Sequence, residues 1–335
     1  MIARTGSRAR VAIALALSLA LSLPGCPARA SRPALSLPEG WATSRAPTTP
    51  ADLSADVLRS ARSVRVCERG TCTADTRPRP DAPLRGETWV LEPGTTLRVD
   101  EDPDADALAV ILAGTGHAHD PRDDSLAPAD DRRVSPWSAL RSRGGGLIVT
   151  VPDDGPPLAL VLVIAREPAP VSPPDATEQT APSPAPDEAS RREVNLESMG
   201  DIHPVSDPPR LERAPPDEPP WSPLDGESLR ARVLFQGPGR ASMALLLGGG
   251  RAAIAEHAHA DAHEVFTLVS GDGMLRVLGQ DERSLGHQSV MRPGDPQVIA
   301  PGARHGWVPG GTLPLVAVLA FGPPGPERAL RPRPR

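Results

Sequence analysis

The sequence contains no lysine and no tyrosine, and aromatic side chains make up only 2% of it. Every basic side chain is therefore arginine, which reads as a compositional bias of the source and not as a functional signal. Charge of neither sign dominates. The formal net charge is -6 and no basic face stands out, so nothing points to a nucleic-acid partner. The apolar run Val11–Leu23 has only 13 residues, too few for a comfortable membrane span. The glycine triplets Gly144–Gly146 and Gly248–Gly250 lack a following Lys-Ser/Thr and read as turns, not phosphate cradles. No serine nucleophile elbow and no Cys–His pairing stands out. Proline (43) and glycine (30) are abundant instead, which keeps much of the chain out of helix and sheet. A hydrophobic fraction of 39% still allows a real core.

The amino-terminal pattern points to export. Arg4, Arg8 and Arg10 precede the short apolar run, as in the n- and h-regions of a secretory signal. Leu23-Pro24-Gly25-Cys26 follows and resembles a bacterial lipobox, which implies that Cys26 is lipidated and anchors the protein to a membrane. Cleavage after Ala28-Arg29-Ala30, giving a freely soluble exported protein, is the competing reading. Export to the cell envelope, lipid-anchored or periplasmic, is the expected localisation. The other two cysteines, Cys67 and Cys72, flank Glu-Arg-Gly-Thr, and an oxidising compartment favours a disulfide between them across a turn at Arg69-Gly70. A zinc knuckle is the rival, but no second pair of ligands lies nearby.

The organisation follows from proline density. Residues 1–26 form the signal, 27–60 a disordered tether, 167–226 a proline-rich linker and 323–335 a disordered tail. Two apolar blocks remain, at 61–166 and 227–322. Both carry short β-prone runs between glycine or proline signals, so the fold class is all-β, with sandwiches or barrels of antiparallel strands. The blocks also echo one another. Asp106–Gly116 (DALAVILAGTG) parallels His263–Gly273 (HEVFTLVSGDG), and the segments ending LALVLVIA and LPLVAVLA follow in the same order. A diverged duplication and a chance likeness of two β domains are both open.

The chemistry concentrates in the second block. His257, His259, His263 and Glu264 fall within eight positions of a chain that has only eight histidines. In a strand, residues i and i+2 share a face, so His257 and His259 can reach one ion. A turn over Ala260–His263 then leads into a strand on which Glu264, Phe266 and Leu268 share a face. His263 is expected to point outward or lie in the turn. His305 follows the turn Pro301–Arg304 and can complete the set. Three imidazoles and one carboxylate suit one divalent transition-metal ion (Fe, Mn, Ni, Co, Zn or Cu) with room for water or a substrate. His117 and His119 also form a His-x-His pair, but in an acidic stretch that reads as a surface loop, with an accessory metal site as the alternative. Arg276 and Gln297 fall on expected strands; alternation leaves their facing undecided, with solvent exposure the preferred reading and contact with a substrate the alternative.

At these residues the sequence resembles the cupin superfamily. The first cupin motif, G(x)5HxH(x)3-4E(x)6G, is matched at His257, His259, Glu264 and Gly271, with Gly250 one position from the leading glycine. The second, G(x)5PxG(x)2H(x)3N, is matched at Gly294, Gly302 and His305, while Ala300 and Pro309 replace its first proline and its asparagine. The resemblance covers residues 227–322. It implies a jelly-roll β-barrel with the metal inside, held by His257, His259, Glu264 and His305; the first block, if it shares the fold, is a degenerate barrel that has lost the site, since no histidine follows its Gly146–Pro152 turn. Cupins include dioxygenases, isomerases, decarboxylases and metal-bearing non-enzymes, so the family does not fix a reaction. The expectation is a metal-binding module that takes a small molecule in the barrel. A metal-dependent enzyme and a non-catalytic protein scaffold are the alternatives, and a homodimer is a further possibility for its assembly.

Overall fold

The computed structural model describes residues 54–59, 61, 63–77, 83–122, 133–166, 211–214, 216, 220–224, 228–278 and 286–330. The signal, Cys26 and most of the expected tether and linker lie outside the described residues. A five-residue helix, α1 (Ala55–Arg59), leads into β1 (Val64–Cys67) and β2 (Thr71–Ala74). The first repeat then runs β3 (Leu84–Leu91), β4 (Thr96–Val99), β5 (Glu101–Ala113), β6 (Gly116–His119), β7 (Arg133–Val134), β8 (Ala139–Gly145), β9 (Ile148–Thr150) and β10 (Leu158–Arg166). Three connecting strands follow, β11 (Leu211–Ala214), β12 (Ser222–Pro223) and β13 (Leu229–Phe235). The second repeat is β14 (Ser242–Gly248), β15 (Ile254–His257), β16 (His263–Ser270), β17 (Gly273–Leu278), β18 (His287–Met291), β19 (Pro296–Ile299), β20 (Arg304–Pro309) and β21 (Leu315–Gly322). A 3₁₀ helix, Pro326–Leu330, closes the described chain.

The eight strands of one repeat map one for one onto those of the other. The order β3-β10-β5-β8 recurs as β14-β21-β16-β19, and β4-β9-β6-β7 recurs as β15-β20-β17-β18. Each repeat is thus a two-sheet antiparallel jelly roll, the architecture that the resemblance implies. The two also share a defect. β5 carries one extra residue between the pairs Leu160↔Ile111 and Ala159↔Ala113, and β16 does so between Ala317↔Leu268 and Val316↔Ser270. A bulge at one place in both repeats fixes their register. It sets DALAVILAGTG against HEVFTLVSGDG residue for residue, and the glycines that follow, Gly114 and Gly271, both have positive φ (76° and 111°).

The four sheets enclose three apolar clusters. One lies inside the first jelly roll (Leu97, Ala107, Ile111, Leu147, Leu162 among others) and one inside the second (Leu246, Phe266, Leu268, Trp307, Leu319). The third joins the repeats, with Val90, Leu108, Val110 and Val161 of the first packed with Leu245, Val265, Val269 and Val318 of the second. The inner strands β10 and β21 are consequently buried on both faces, which is why LALVLVIA and LPLVAVLA read as unbroken apolar runs and not as alternations. Close approach at this seam needs a residue without a side chain. A Cβ on Gly86 would fall 2.6 Å from Val265 Cγ1 and 2.9 Å from Pro296 Cβ. Polar ties cross it too: Thr88 Oγ1 donates to the Gly294 carbonyl at 2.8 Å, and the Arg240 backbone N–H donates to buried Asp106 at 2.7 Å.

Several boundaries differ from the sequence reading. The expected linker contributes β11, which pairs with β8, and β12, which pairs with β13. The expected tether contributes α1, whose Leu58 is fully buried in the seam. The expected tail folds as far as Leu330. His117 and His119 lie on β6, paired with β9, and not in a surface loop. The disulfide forms as expected between Cys67 and Cys72, with Cα atoms 5.9 Å apart around a turn in which Gly70 has φ 66°. Because β1 joins the β3 sheet and β2 joins the β4 sheet, this bond clasps the two sheets of the first jelly roll. Among the described residues no helix is long and apolar enough to cross a membrane.

Candidate metal centre

His257, His259, Glu264 and His305 converge inside the second jelly roll. Each offers one donor atom, and the four atoms lie within 4.8 Å of one another. Two donors across an ion at about 2.1 Å each would stand about 4.2 Å apart, so the set needs to draw in only by a few tenths of an ångström. Glu264 and His305 are buried, at 3% and 2% exposure. Glu264 sits on β16, whose alternation sends Glu264, Phe266 and Leu268 inward and Val265 and Val269 to the seam. This is the facing that the sequence implied.

The route by which the histidines arrive differs from simple strand alternation. β15 ends at His257, and His259 lies in the loop beyond it. The pairing of β15 with β20 runs Ile254↔Trp307 and then His257↔His305, so three steps on one strand face two on the other. That extra residue returns His257 to the same side as Ile254, and both line the interior cavity. Gly306 permits the tight crossing, since a Cβ there would meet the Ile254 carbonyl oxygen at 2.9 Å. His259 is placed by its backbone: its carbonyl accepts from Gly302 N–H at 2.7 Å, and Gly302 turns with φ 74°. The glycine of the second motif therefore serves the histidine of the first.

Hydrogen bonds to backbone orient two of the rings. Nδ1 of His257 lies 2.9 Å from the Ala255 carbonyl and Nδ1 of His305 lies 3.0 Å from that of Ala303. A carbonyl can only accept, so in the neutral rings Nδ1 carries the proton and Nε2 keeps its lone pair. Nε2 of His305 then faces Glu264 Oε2 at 2.8 Å, yet it is buried and out of hydrogen-bond alignment. Two electron-rich atoms at that distance call for a cation between or beside them. His259 Nε2 lies 3.1 Å from the same oxygen. The donor chemistry thus fits one transition-metal ion, with the backbone-bound imidazoles supplying the orientation that metal ligands need.

Without an ion, a proton on His305 meets the Glu264 carboxylate instead. Burial opposes charge on Glu264, but the His259 and His305 rings outweigh it and hold its carboxyl at about 2. Burial likewise works against charge on His305, and the Glu264 carboxylate reverses the balance and raises the pKa. His257 retains open surface, yet its ring is enclosed enough that burial, and next the charge of His305, lowers its pKa. His263 opens β16 outside the cluster, as expected, with its pKa lowered by partial burial. Arg276 is bound to Glu256, which also takes Arg304, each at 3.1 Å.

The cluster borders a cavity of about 120 Å³. Apart from the four donor residues, its walls are apolar side chains, including Ile254, Phe266, Leu275, Trp307 and Phe321, and the Gly306 backbone. Pro326, Ala329 and Leu330 of the 3₁₀ helix form part of the wall, as does Leu224. That helix is tied down by buried Glu327, which accepts from Ser242 Oγ at 2.7 Å and from Gly325 N–H at 2.6 Å. A second, outer cleft lies between residues 258–262 and Pro323–Pro326, and His259 lines both spaces. Sequence reasoning missed this carboxy-terminal wall. The apolar residues in PERAL flanked by prolines were its only signal.

The matched positions of the first jelly roll are different in kind. Register through the shared bulge places Ala107 where Glu264 stands, since Ala107 faces Ile164 as Glu264 faces Phe321. Ala118↔Val149 matches Leu275↔Trp307, which puts Leu147 in the place of His305. Val99, whose N–H donates to the Leu147 carbonyl, then stands in the place of His257. All three are buried in the first core.

No protein-family model matches this chain, and no curated protein matches it in sequence. Among solved structures it resembles Lactobacillus farciminis oxalate decarboxylase in a formate complex, with 14% identity over 72% of this chain and 77% of that one and a TM-score of 0.49. Bacillus subtilis oxalate decarboxylase at pH 4.6 gives 14% identity over 71% and 68% and a TM-score of 0.48.

Proposed function

We propose that this is an exported protein whose second jelly roll binds one transition-metal ion through His257, His259, Glu264 and His305 and holds a small molecule beside it. The observation that carries the reading is the convergence of four donor atoms within 4.8 Å of one another, with Glu264 and His305 buried. Export, with a lipid on Cys26, is supported by the amino-terminal pattern alone. The first jelly roll is read as a degenerate barrel without a metal, because apolar side chains fill its three matched positions.

When bound, such an ion supplies Lewis acidity and an open position for a ligand atom. The chain's own part is to hold the imidazoles deprotonated at Nε2, keep Glu264 ionised and exclude water with apolar walls. An enzyme such as a dioxygenase or isomerase is the second reading. It is favoured by the cavity next to the donors, and it lacks an acid or base in the described wall other than the donors themselves. Oxalate, named for the structurally similar proteins, fits this wall poorly, since its second carboxylate would meet no cationic side chain among the described wall residues.

The test is metal content. Protein isolated from a cell envelope should carry about one transition-metal ion per chain, and His257→Ala with His305→Ala should carry none. Wild-type protein that takes up no metal from any of the six candidates would end the proposal.

A further inference from the structure

We infer that the ligand of the second jelly roll is a compact, largely hydrocarbon molecule with a single metal-binding head, and that the carboxy-terminal segment Pro326–Leu330 forms part of its recognition surface. This rests on the metal reading above and adds the ligand's chemical class to it.

The described wall of the cavity is poor in polar side chains. Of the described residues lining the cavity, only the four donors carry a titratable side chain, and no arginine, aspartate, serine, threonine or amide side chain joins them. The one further polar side-chain atom is Trp307 Nε1, which is buried without a hydrogen-bond partner. A sugar, with a hydroxyl on almost every carbon, would bury several of them unpaired. A phosphate ester or a dicarboxylate would bury a charge beyond the one the metal can meet. The residues that would normally answer such groups are engaged elsewhere, as Arg276 and Arg304 are with Glu256.

Size narrows the class further. A volume of about 120 Å³ is slightly less than the roughly 150 Å³ apolar cavity known to accept benzene. The body of the ligand is therefore a few carbons, a short or branched chain or a small ring. The part of the wall contributed by Pro326, Ala329 and Leu330 is held through Glu327 to Ser242 on β14, so it is fixed to the barrel at a defined point. Pro326 also lines the outer cleft that shares His259 with the cavity, so the segment borders both spaces. A donor head can reach the metal from the His257–His259 side while the hydrocarbon body rests on Ile254, Leu275, Phe321 and Leu330.

The experiment uses the full chain loaded with Co(II), whose visible spectrum reports a change of ligand, and cobalt stoichiometry is measured first. Acetate, propionate, butyrate and succinate are then titrated. Burial of a methylene should tighten binding roughly fourfold, so butyrate should bind about 15-fold more tightly than acetate. Succinate should bind no more tightly than acetate. Leu330→Ser should keep the cobalt and the acetate affinity while losing several-fold in butyrate affinity. Bound cobalt with a flat series from acetate to butyrate, or succinate binding better than butyrate, overturns the inference and leaves the metal reading standing. Failure to bind cobalt overturns both. An unchanged butyrate affinity in Leu330→Ser removes the carboxy-terminal segment from the ligand surface.

Discussion

The two jelly rolls have the same strand order and the same bulge, yet Val99, Ala107 and Leu147 stand in one where His257, Glu264 and His305 stand in the other. The difference teaches that the fold does not need the polar cluster. In the first repeat these positions are packed and carry only the ordinary gain of burying apolar surface. In the second, imidazoles and a carboxylate occupy a place where polar groups are costly unless something compensates them. A transition-metal ion held by the four donors would supply that compensation.

The comparison can be broken most directly by making the second repeat like the first. His257→Val, Glu264→Ala and His305→Leu together should abolish metal binding, read by elemental analysis. They should also leave the melting temperature of the metal-free protein unchanged or higher, because apolar groups replace a largely buried polar set. A large loss of thermal stability in the metal-free triple variant would show that the cluster is structural.

Acidification comes next in size. Bound metal requires unprotonated Nε2 on His305, whose pKa is raised, so metal should be lost as pH falls through and somewhat above the usual imidazole value, by equilibrium dialysis. His257, with a lowered pKa, stays ready to ligate to lower pH. Below this range Glu264 takes over. Its carboxyl is held at about 2 when folded, so its stabilisation is present above the unfolded value of roughly 4.3 and is lost as pH falls toward 2. The metal-free wild type should therefore lose melting temperature more steeply over that interval than Glu264→Gln does.

The first repeat has its own weak point. Replacing Cys67 and Cys72 by serine should cost about 2 kcal/mol in chemical denaturation, the value for a short closed loop, with metal content unchanged. The smallest expected effect is that of Ser242→Ala, which removes one bond to buried Glu327 and should cost about 1 kcal/mol. If Ser242→Ala released the metal, the carboxy-terminal segment would be supporting the cluster and not only covering the cavity.

Much of this contrast is legible in the amino-acid sequence. The spacing of the histidines, Glu264 and Gly302 locates the site because a metal cluster needs particular residues at particular steps. The echo between Asp106–Gly116 and His263–Gly273 locates the register, since Gly114 and Gly271 mark the same turn. The bulge in β15 is invisible there, because an extra residue shows only in the pairing with β20. The seam between repeats hides in plain view: an apolar run such as LALVLVIA says that both faces are buried, but not what covers the second. Proline content misleads at residues 211–223 and 326–330, where short strands and a single 3₁₀ turn need few backbone donors and are held by neighbours already in place.

The seam has one more consequence. Because Leu58, Val110, Val265 and Val318 belong to a common interior, neither jelly roll can open fully without exposing surface of the other. Heat should therefore melt the described domains in one calorimetric transition. An ion bound in the second repeat then slows the exposure of Cys67, which is fully buried in the first. The rate at which a reductant cleaves the Cys67–Cys72 bond becomes a remote gauge of metal occupancy, read by thiol labelling at a site that shares no ligand with the ion.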